Sequence, residues 1–190
     1  MNDSDVMGVA LAEAGIALSE REVPVGCAFA LPAGADAGAG PGHWREPFAR
    51  ARNRTNATYS PQQHAEMVAL HALVDDLGGS AGGDALAGLR GVLAQATLFV
   101  TVEPCIMCAD ALAKAGVRSI VYGCPNDKFG GCGTVADVFG GGTTAGRTVR
   151  SGLRAEEAVG LLKQFYARAN ERAPLAGAAA KEARAEGGLQ

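Results

Sequence analysis

His64 and Glu66 stand one residue apart, and Cys105 and Cys108 follow at the spacing of one helical turn. One imidazole and two thiols form a donor set suited to zinc, and three protein ligands leave the fourth tetrahedral position open. A structural zinc needs four ligands, and the sequence offers no second C-x-x-C and no His pair nearby. The set therefore reads as a catalytic one, with Glu66 placed to aim a carboxylate at the open position. Its chemistry is hydrolytic. Zinc brings the pKa of a bound water toward neutrality, and an adjacent carboxylate moves protons first as base and then as acid.

The remaining histidines and cysteines are read more plainly. His71 lies two turns past His64 on the same helix, a surface or core position, and His43 belongs to no motif. Five cysteines, an odd number with one tight pair, argue against a disulfide scaffold, so Cys27, Cys124 and Cys132 read as small buried thiols.

The elements that must position these residues follow from local pattern. Met7, Ala10, Leu11, Ala14 and Leu18 fall at helical spacing and predict a helix over 4–19, capped by Asn2, Asp3 or Ser4. Val25–Leu31 is an apolar run that predicts a buried strand, with 48–53 returning as its partner. Ser60, Pro61 and Gln63 form a helix start with the features of a capping box, predicting a helix from Pro61 to Leu77 with His64 and Glu66 in its first two turns. Thr97–Val102 predicts a second buried strand, and Pro104 to Gly116 a helix. Ser119–Tyr122 predicts a further strand, Gly130–Gly133 a tight loop, and 154–171 a last helix with Leu161, Leu162 and Phe165 inward. Residues 32–43 and 78–91, rich in Gly and Ala, read as loose connections, the second with at most a helical turn. Alternating strands and helices predict an α/β fold, a three-layer α/β/α sandwich around a mixed sheet of about five strands. Both metal-ligand segments open helices, whose N-termini favour thiolates at Cys105 and Cys108.

Length and composition set the limits. A chain of 190 residues, 48% hydrophobic and 19% charged, suffices for one folded domain. That domain is placed at 1–172, with a flexible tail over 173–190. No run of about 18 apolar residues is present, so no membrane span is expected. The acidic start, Met1–Asp5, lacks the shape of a signal peptide, and the expected location is intracellular, cytoplasm or nucleus. The net charge is −3, but basic residues cluster at Arg50, Arg52 and Arg54 and again over 147–172, where phosphates can be held.

His-x-Glu followed by Pro-Cys-x-x-Cys is the pattern of zinc nucleobase deaminases, and the resemblance extends beyond it. Val23–Cys27, Ala49–Asn53, His64–Met67, Thr101–Cys108 and Phe129–Gly133 resemble the tRNA-specific adenosine deaminases, most closely the catalytic subunit of the heterodimeric eukaryotic enzyme. Arg154–Ala158 and Lys163–Tyr166 are similar to that family's last helix. The similarity covers about residues 5–174, and the stretches 32–47 and 78–95 look like insertions. The resemblance implies conversion of adenosine to inosine at the tRNA wobble position, with one zinc and a related subunit that lacks the catalytic glutamate. It implies that Asn53 contacts a flipped adenine, that the backbone at Ala65 helps hold it, and that Val25 and Gly26 lie beside it. Phe165 and Tyr166 would help position the anticodon loop, and Arg50, Arg52, Arg54 and Arg168 would meet phosphates. The family's Lys/Arg-rich end is reduced here to Lys181 and Arg184, so binding is expected to lean on the partner. The zinc motif does not separate C6 of adenine from C4 of cytosine, and a small-nucleotide deaminase of the deoxycytidylate or cytidine type is the alternative.

Overall fold

A computed structural model describes residues 1–34, 42–76, 83–140 and 146–167. Five strands form one sheet in the order β2-β1-β3-β4-β5. They are β1 (Gly26–Ala30), β2 (Ala49–Arg52), β3 (Thr97–Val102), β4 (Ser119–Cys124) and β5 (Thr148–Arg150). β1 runs antiparallel to both β2 and β3, whereas β3, β4 and β5 are parallel, so the sheet is mixed.

Period-two alternation sorts the side chains into two cores. Cys27, Phe29, Leu98, Val100 and Ile120 face one layer, which holds α3 (Ala65–Asp75), α4 (Gly83–Leu93) and α5 (Ile106–Ala115). Ala28, Ala30, Phe99 and Val121 face α1 (Asp3–Ser19) and α6 (Ala155–Ala167) on the other side. The three-layer α/β/α sandwich expected from the sequence is the observed architecture. Among the described residues no helix is long and apolar enough to cross a membrane.

Besides a short helix at Thr55–Thr58 that was not expected, four elements differ from the sequence expectation. α3 begins at Ala65 rather than Pro61, and His64 is its N-cap in extended conformation (φ −72°, ψ 156°). Residues 59–63 are instead drawn into a turn by tertiary bonds. The short helix α2 (Thr55–Thr58) ends at Tyr59 in a left-handed conformation, and the Arg54 N–H donates to the Gln63 carbonyl. α5 likewise begins at Ile106 with Cys105 as N-cap, two residues past the expected Pro104.

The third difference is α4, an eleven-residue helix where a loose connection was expected. Leu89 and Leu93 turn one side of it onto the core, and this burial outweighs its glycines. The Arg90 guanidinium donates to the Lys114 carbonyl at the end of α5. Residues 77–82, the rest of that connection, lie outside the described residues, as do 35–41 in the first insertion. The flanks of that first insertion are part of the body. Pro32 pairs with Trp44, whose ring packs edge-on against Phe99 and whose N–H donates to the Met1 carbonyl. The fourth is β5, too short for a sequence signal, which adds to the β4 edge. The expected tail, 173–190, and the part of the expected last helix from 168 to 171 also fall outside the described residues.

Candidate active site

Three loops and two helix starts meet at one end of the sheet. The C-terminal end of β3 and the start of β1 lie together because these strands are antiparallel, with Cys27 opposite Val100. The Gly26 N–H donates to Thr101 Oγ1 at 3.2 Å, and the Asn53 N–H to the Val25 carbonyl at 3.1 Å. Val25, Gly26 and Asn53 are thereby gathered beside the strand that leads to Cys105.

His64 Nδ1 lies 3.5 Å from the sulfur of Cys105 and 3.5 Å from that of Cys108. With zinc–nitrogen and zinc–sulfur bonds of ordinary length, a tetrahedral site requires a nitrogen–sulfur separation of about 3.6 Å. All three donor atoms fall within 4.8 Å of one another. The residues therefore fit zinc in both donor chemistry and spacing.

Side-chain duties are divided so that the donors stay available. A helix N-cap side chain usually accepts a backbone N–H, but His64 makes no such bond. Asn53 Oδ1 accepts the Ala65 N–H instead, at 2.8 Å. At α5 the Ile106 N–H goes to the Phe129 carbonyl at 2.9 Å.

The electrostatics favour one thiolate and resist a second. The Cys108 thiol donates to Cys105, and this bond together with His64 holds Cys105 down at about 4. That same bond, burial and the nearby Glu66 carboxylate push Cys108 far up. The Cys105 contact raises His64. A bound divalent cation deprotonates coordinating thiols outright, so this pair is suited to a metal rather than to two bare anions. Glu66 is 3% exposed, and burial pushes its carboxyl up to about 6. It is hydrogen-bonded to Cys108 and so stands against the donor set. A carboxyl raised toward neutrality beside a metal-binding triad can both take and give a proton.

Similarity to known proteins agrees with this chemistry. The family model of the cytidine and deoxycytidylate deaminase zinc-binding region matches residues 1–124. tRNA-specific adenosine deaminase 2 of Danio rerio is 39% identical over 184 residues, covering 91% of this chain and 76% of the relative. This chain belongs to the tRNA-specific adenosine deaminase family. A solved structure from studies of A-to-I editing by tRNA:A34 deaminases at the wobble position is 30% identical with a TM-score of 0.62, covering 83% of this chain and 99% of that one. Guanine deaminase from Nitrosomonas europaea superposes with a TM-score of 0.63 at 23% identity, covering 87% of this chain and 85% of that one, and that likeness speaks for the fold alone.

The other residues singled out by resemblance to this deaminase family are distributed unevenly. Asn53 is buried beside Ala65, and Val25 packs against the core cluster of α3 and α5. Gly26 turns the other way: a Cβ there would run into the Ala10 carbonyl, so its glycine is required by the packing of α1. Arg50 and Arg52 also point to the α1 side. Arg52 binds Glu20 at 2.8 Å and Glu13 at 2.9 Å, and Arg50 lies 3.4 Å from Glu13. Their neighbours Ala49 and Ala51 face the site layer instead. Arg54 is exposed on the turn between Asn53 and His64. Phe165 is half-buried, with its ring edge-on to the exposed Tyr166 at 5.2 Å. Both sit on α6, in the layer opposite the ligands. Arg168 lies outside the described residues.

Three buried carboxylates were missed from the sequence, the first being Glu13, which pairs with Arg50 and Arg52. Glu22, 1% exposed, accepts the N–H groups of Asn56 (2.9 Å) and Ala57 (2.6 Å) and the Thr55 hydroxyl (3.2 Å), fixing the turn that carries Arg54. Glu103, 2% exposed, binds the loop 126–134. Glu22, at the end of the polar stretch 19–22, carries no burial signal, and for Glu103 only its adjacency to Pro104–Cys105 was a hint.

Proposed function

We propose that this protein deaminates adenosine to inosine at the wobble position of tRNA, as the catalytic subunit of a heterodimer with a related, non-catalytic subunit. The observation that carries the reading is the buried Glu66 carboxylate against the His64–Cys105–Cys108 donor triad, in a chain of this deaminase family. When bound, zinc supplies a Lewis acid that makes water a competent nucleophile near neutral pH. Glu66 takes the proton from the attacking water and delivers it to a ring nitrogen. The water oxygen bonds to C6; Glu66 then takes the remaining hydroxyl proton and passes it to the exocyclic nitrogen, so that the C6–N bond breaks, ammonia leaves and C6 keeps its oxygen as a carbonyl.

Asn53 holds the base, and the backbone at Ala65 helps by fixing Asn53, its N–H being taken by Asn53 Oδ1. With Asn53 Oδ1 occupied by Ala65, its amide N–H₂ is the group that meets an acceptor on the adenine edge. Val25 forms part of the wall, whereas Gly26 serves the packing behind it. An anticodon base is already unpaired in its loop, so extruding it costs little. Arg54 is the cation of the first basic cluster best placed for phosphate, and Phe165, Tyr166 and Arg168 are further tRNA contacts in this reading. The domain ends near residue 172.

The test is inosine formation on unmodified wobble-adenosine tRNA, read as adenosine-to-guanosine changes after reverse transcription. The protein is assayed alone and with the partner subunit, beside a parallel reaction on deoxycytidylate. Wobble inosine that requires Glu66 supports the reading. Uracil nucleotide without inosine overturns it in favour of a small-nucleotide deaminase.

A further inference from the structure

We infer that Glu103 is a positioning residue of the zinc site: its buried carboxylate fixes the 126–134 loop, and that loop fixes the start of the Cys105 helix. The inference rests on the zinc reading above. Glu103 directly follows β3 and precedes Pro104–Cys105. Its Oε1 accepts the N–H groups of Cys132 at 3.0 Å and Thr134 at 3.1 Å, and its Oε2 accepts that of Asn126 at 3.0 Å. Among the described residues no Lys or Arg pairs with it; three backbone donors and the Thr134 hydroxyl take the place of a counter-ion.

The loop held this way returns to α5. Cys105 and Gly130 form an antiparallel bridge, and the Gly131 N–H donates to the Pro104 carbonyl at 2.9 Å. The Phe129 carbonyl accepts the Ile106 N–H at 2.9 Å. Ile106 is the first helical residue, and its N–H has no partner within the helix. The fit leaves no slack. A Cβ at Gly130 would run into the Glu103 carboxylate, and one at Gly131 would come within 2.7 Å of Ala109 Cβ and 2.8 Å of Ile106 Cα. The loop is clamped between Glu103 and the first turn of α5, whose N-cap is Cys105.

Glu103 thus serves α5 as Asn53 serves α3. Each satisfies the first helical N–H of a ligand-bearing helix, Asn53 directly and Glu103 through Phe129, and each leaves the N-cap side chain to the metal. The charge itself matters. A carboxylate offers acceptors alone, whereas an amide at this place turns an NH₂ toward a backbone N–H and sets donor against donor.

The decisive experiment is zinc release to a competing chelator, measured on the zinc-loaded protein. Glu103→Gln should release zinc roughly 10- to 100-fold faster, the range for residues that orient metal ligands from behind. Gly130→Ala, which presses on the same carboxylate from the loop side, should shift release in the same direction. Leu112→Val, a core trim on the same helix, is the comparator for lost stability and should release zinc as the wild type does. Release from Glu103→Gln no faster than from the comparator at equal loss of Tm overturns the inference. If Glu103→Gln fails to fold, Gly130→Ala decides by the same criterion. A wild-type protein that takes up no zinc overturns the zinc reading itself, and this inference with it.

Discussion

Asn53 and Ala65 are joined by a 2.8 Å hydrogen bond from the Ala65 backbone N–H to the Asn53 side-chain oxygen, within the protein. The bond ties the end of β2 to the start of α3 and releases His64 from capping. Asn53→Ala should therefore cost about 1 kcal/mol of stability, the ordinary worth of a helix cap. Turnover should fall more than tenfold at temperatures where the variant is fully folded, because the base loses its amide contact too. A kcat/KM equal to wild type would remove Asn53 from the site.

Glu66→Gln keeps the shape of the side chain and removes its capacity to carry a proton. A loss of at least about a hundredfold in turnover is expected, in line with general acid–base catalysis by a placed side chain. Zinc content by metal analysis should stay at one per chain. Removing the metal by chelation should abolish turnover in the wild type, and adding zinc back should restore it. Residual turnover in fully metal-free protein would contradict the hydrolytic scheme.

The arginines of the first basic cluster should separate. Arg52 is held by Glu13 and Glu20, while Arg54 is exposed beside the site. Arg54→Ala should weaken tRNA binding and reduce the slope of log affinity against log salt by about one. Arg52→Ala should leave that slope unchanged and show instead as a small loss of thermal stability, well under that of a core substitution. Equal changes in salt slope for the two variants would return Arg52 to the RNA surface.

Acid should loosen the contact between α1 and β5. Burial raises the Asp3 carboxyl, but hydrogen bonds from Arg150 and Trp44 outweigh it and hold the group below its usual range. A carboxylate lowered on folding adds stability above its unfolded pKa and loses it as pH falls through the folded one. The contribution of Asp3 should be complete at neutral pH and vanish below the ordinary carboxylate range. Asp3→Asn should accordingly lower Tm at pH 7 and leave it closer to wild type near pH 3. A constant difference across that range would show that the pair contributes no linkage.

The chemistry was legible because it is written in local spacing. Three donors and a glutamate in two short motifs are what a zinc site with an acid–base group would use, and the fold brings the three donors together. Elements were legible where one period dominated: β1, β3, β4, α1 and α5 lie within one or two residues of expectation. Where several glycines dilute a helical face, as in 83–93, the local signal fell below the burial that Leu89 and Leu93 gain from tertiary contact. Ser60–Pro61 gave a valid local helix start, yet the bond from Arg54 to Gln63 and the turn after Tyr59 displaced α3 to Ala65.

The sequence by itself determined which groups the site has: residue types set the donor softness and supply the Glu66 carboxyl, whereas the burial that raises that carboxyl comes from the fold. Only the tertiary structure decided how the site is held. Whether an arginine faces RNA or a glutamate on α1 depends on which side of β2 it leaves, and that follows from strand register. Whether a glutamate is a solvated charge or a buried acceptor, as Glu22 and Glu103 are, depends on backbone donors brought from over twenty residues away. Those contacts are non-local, and no spacing along the chain encodes them.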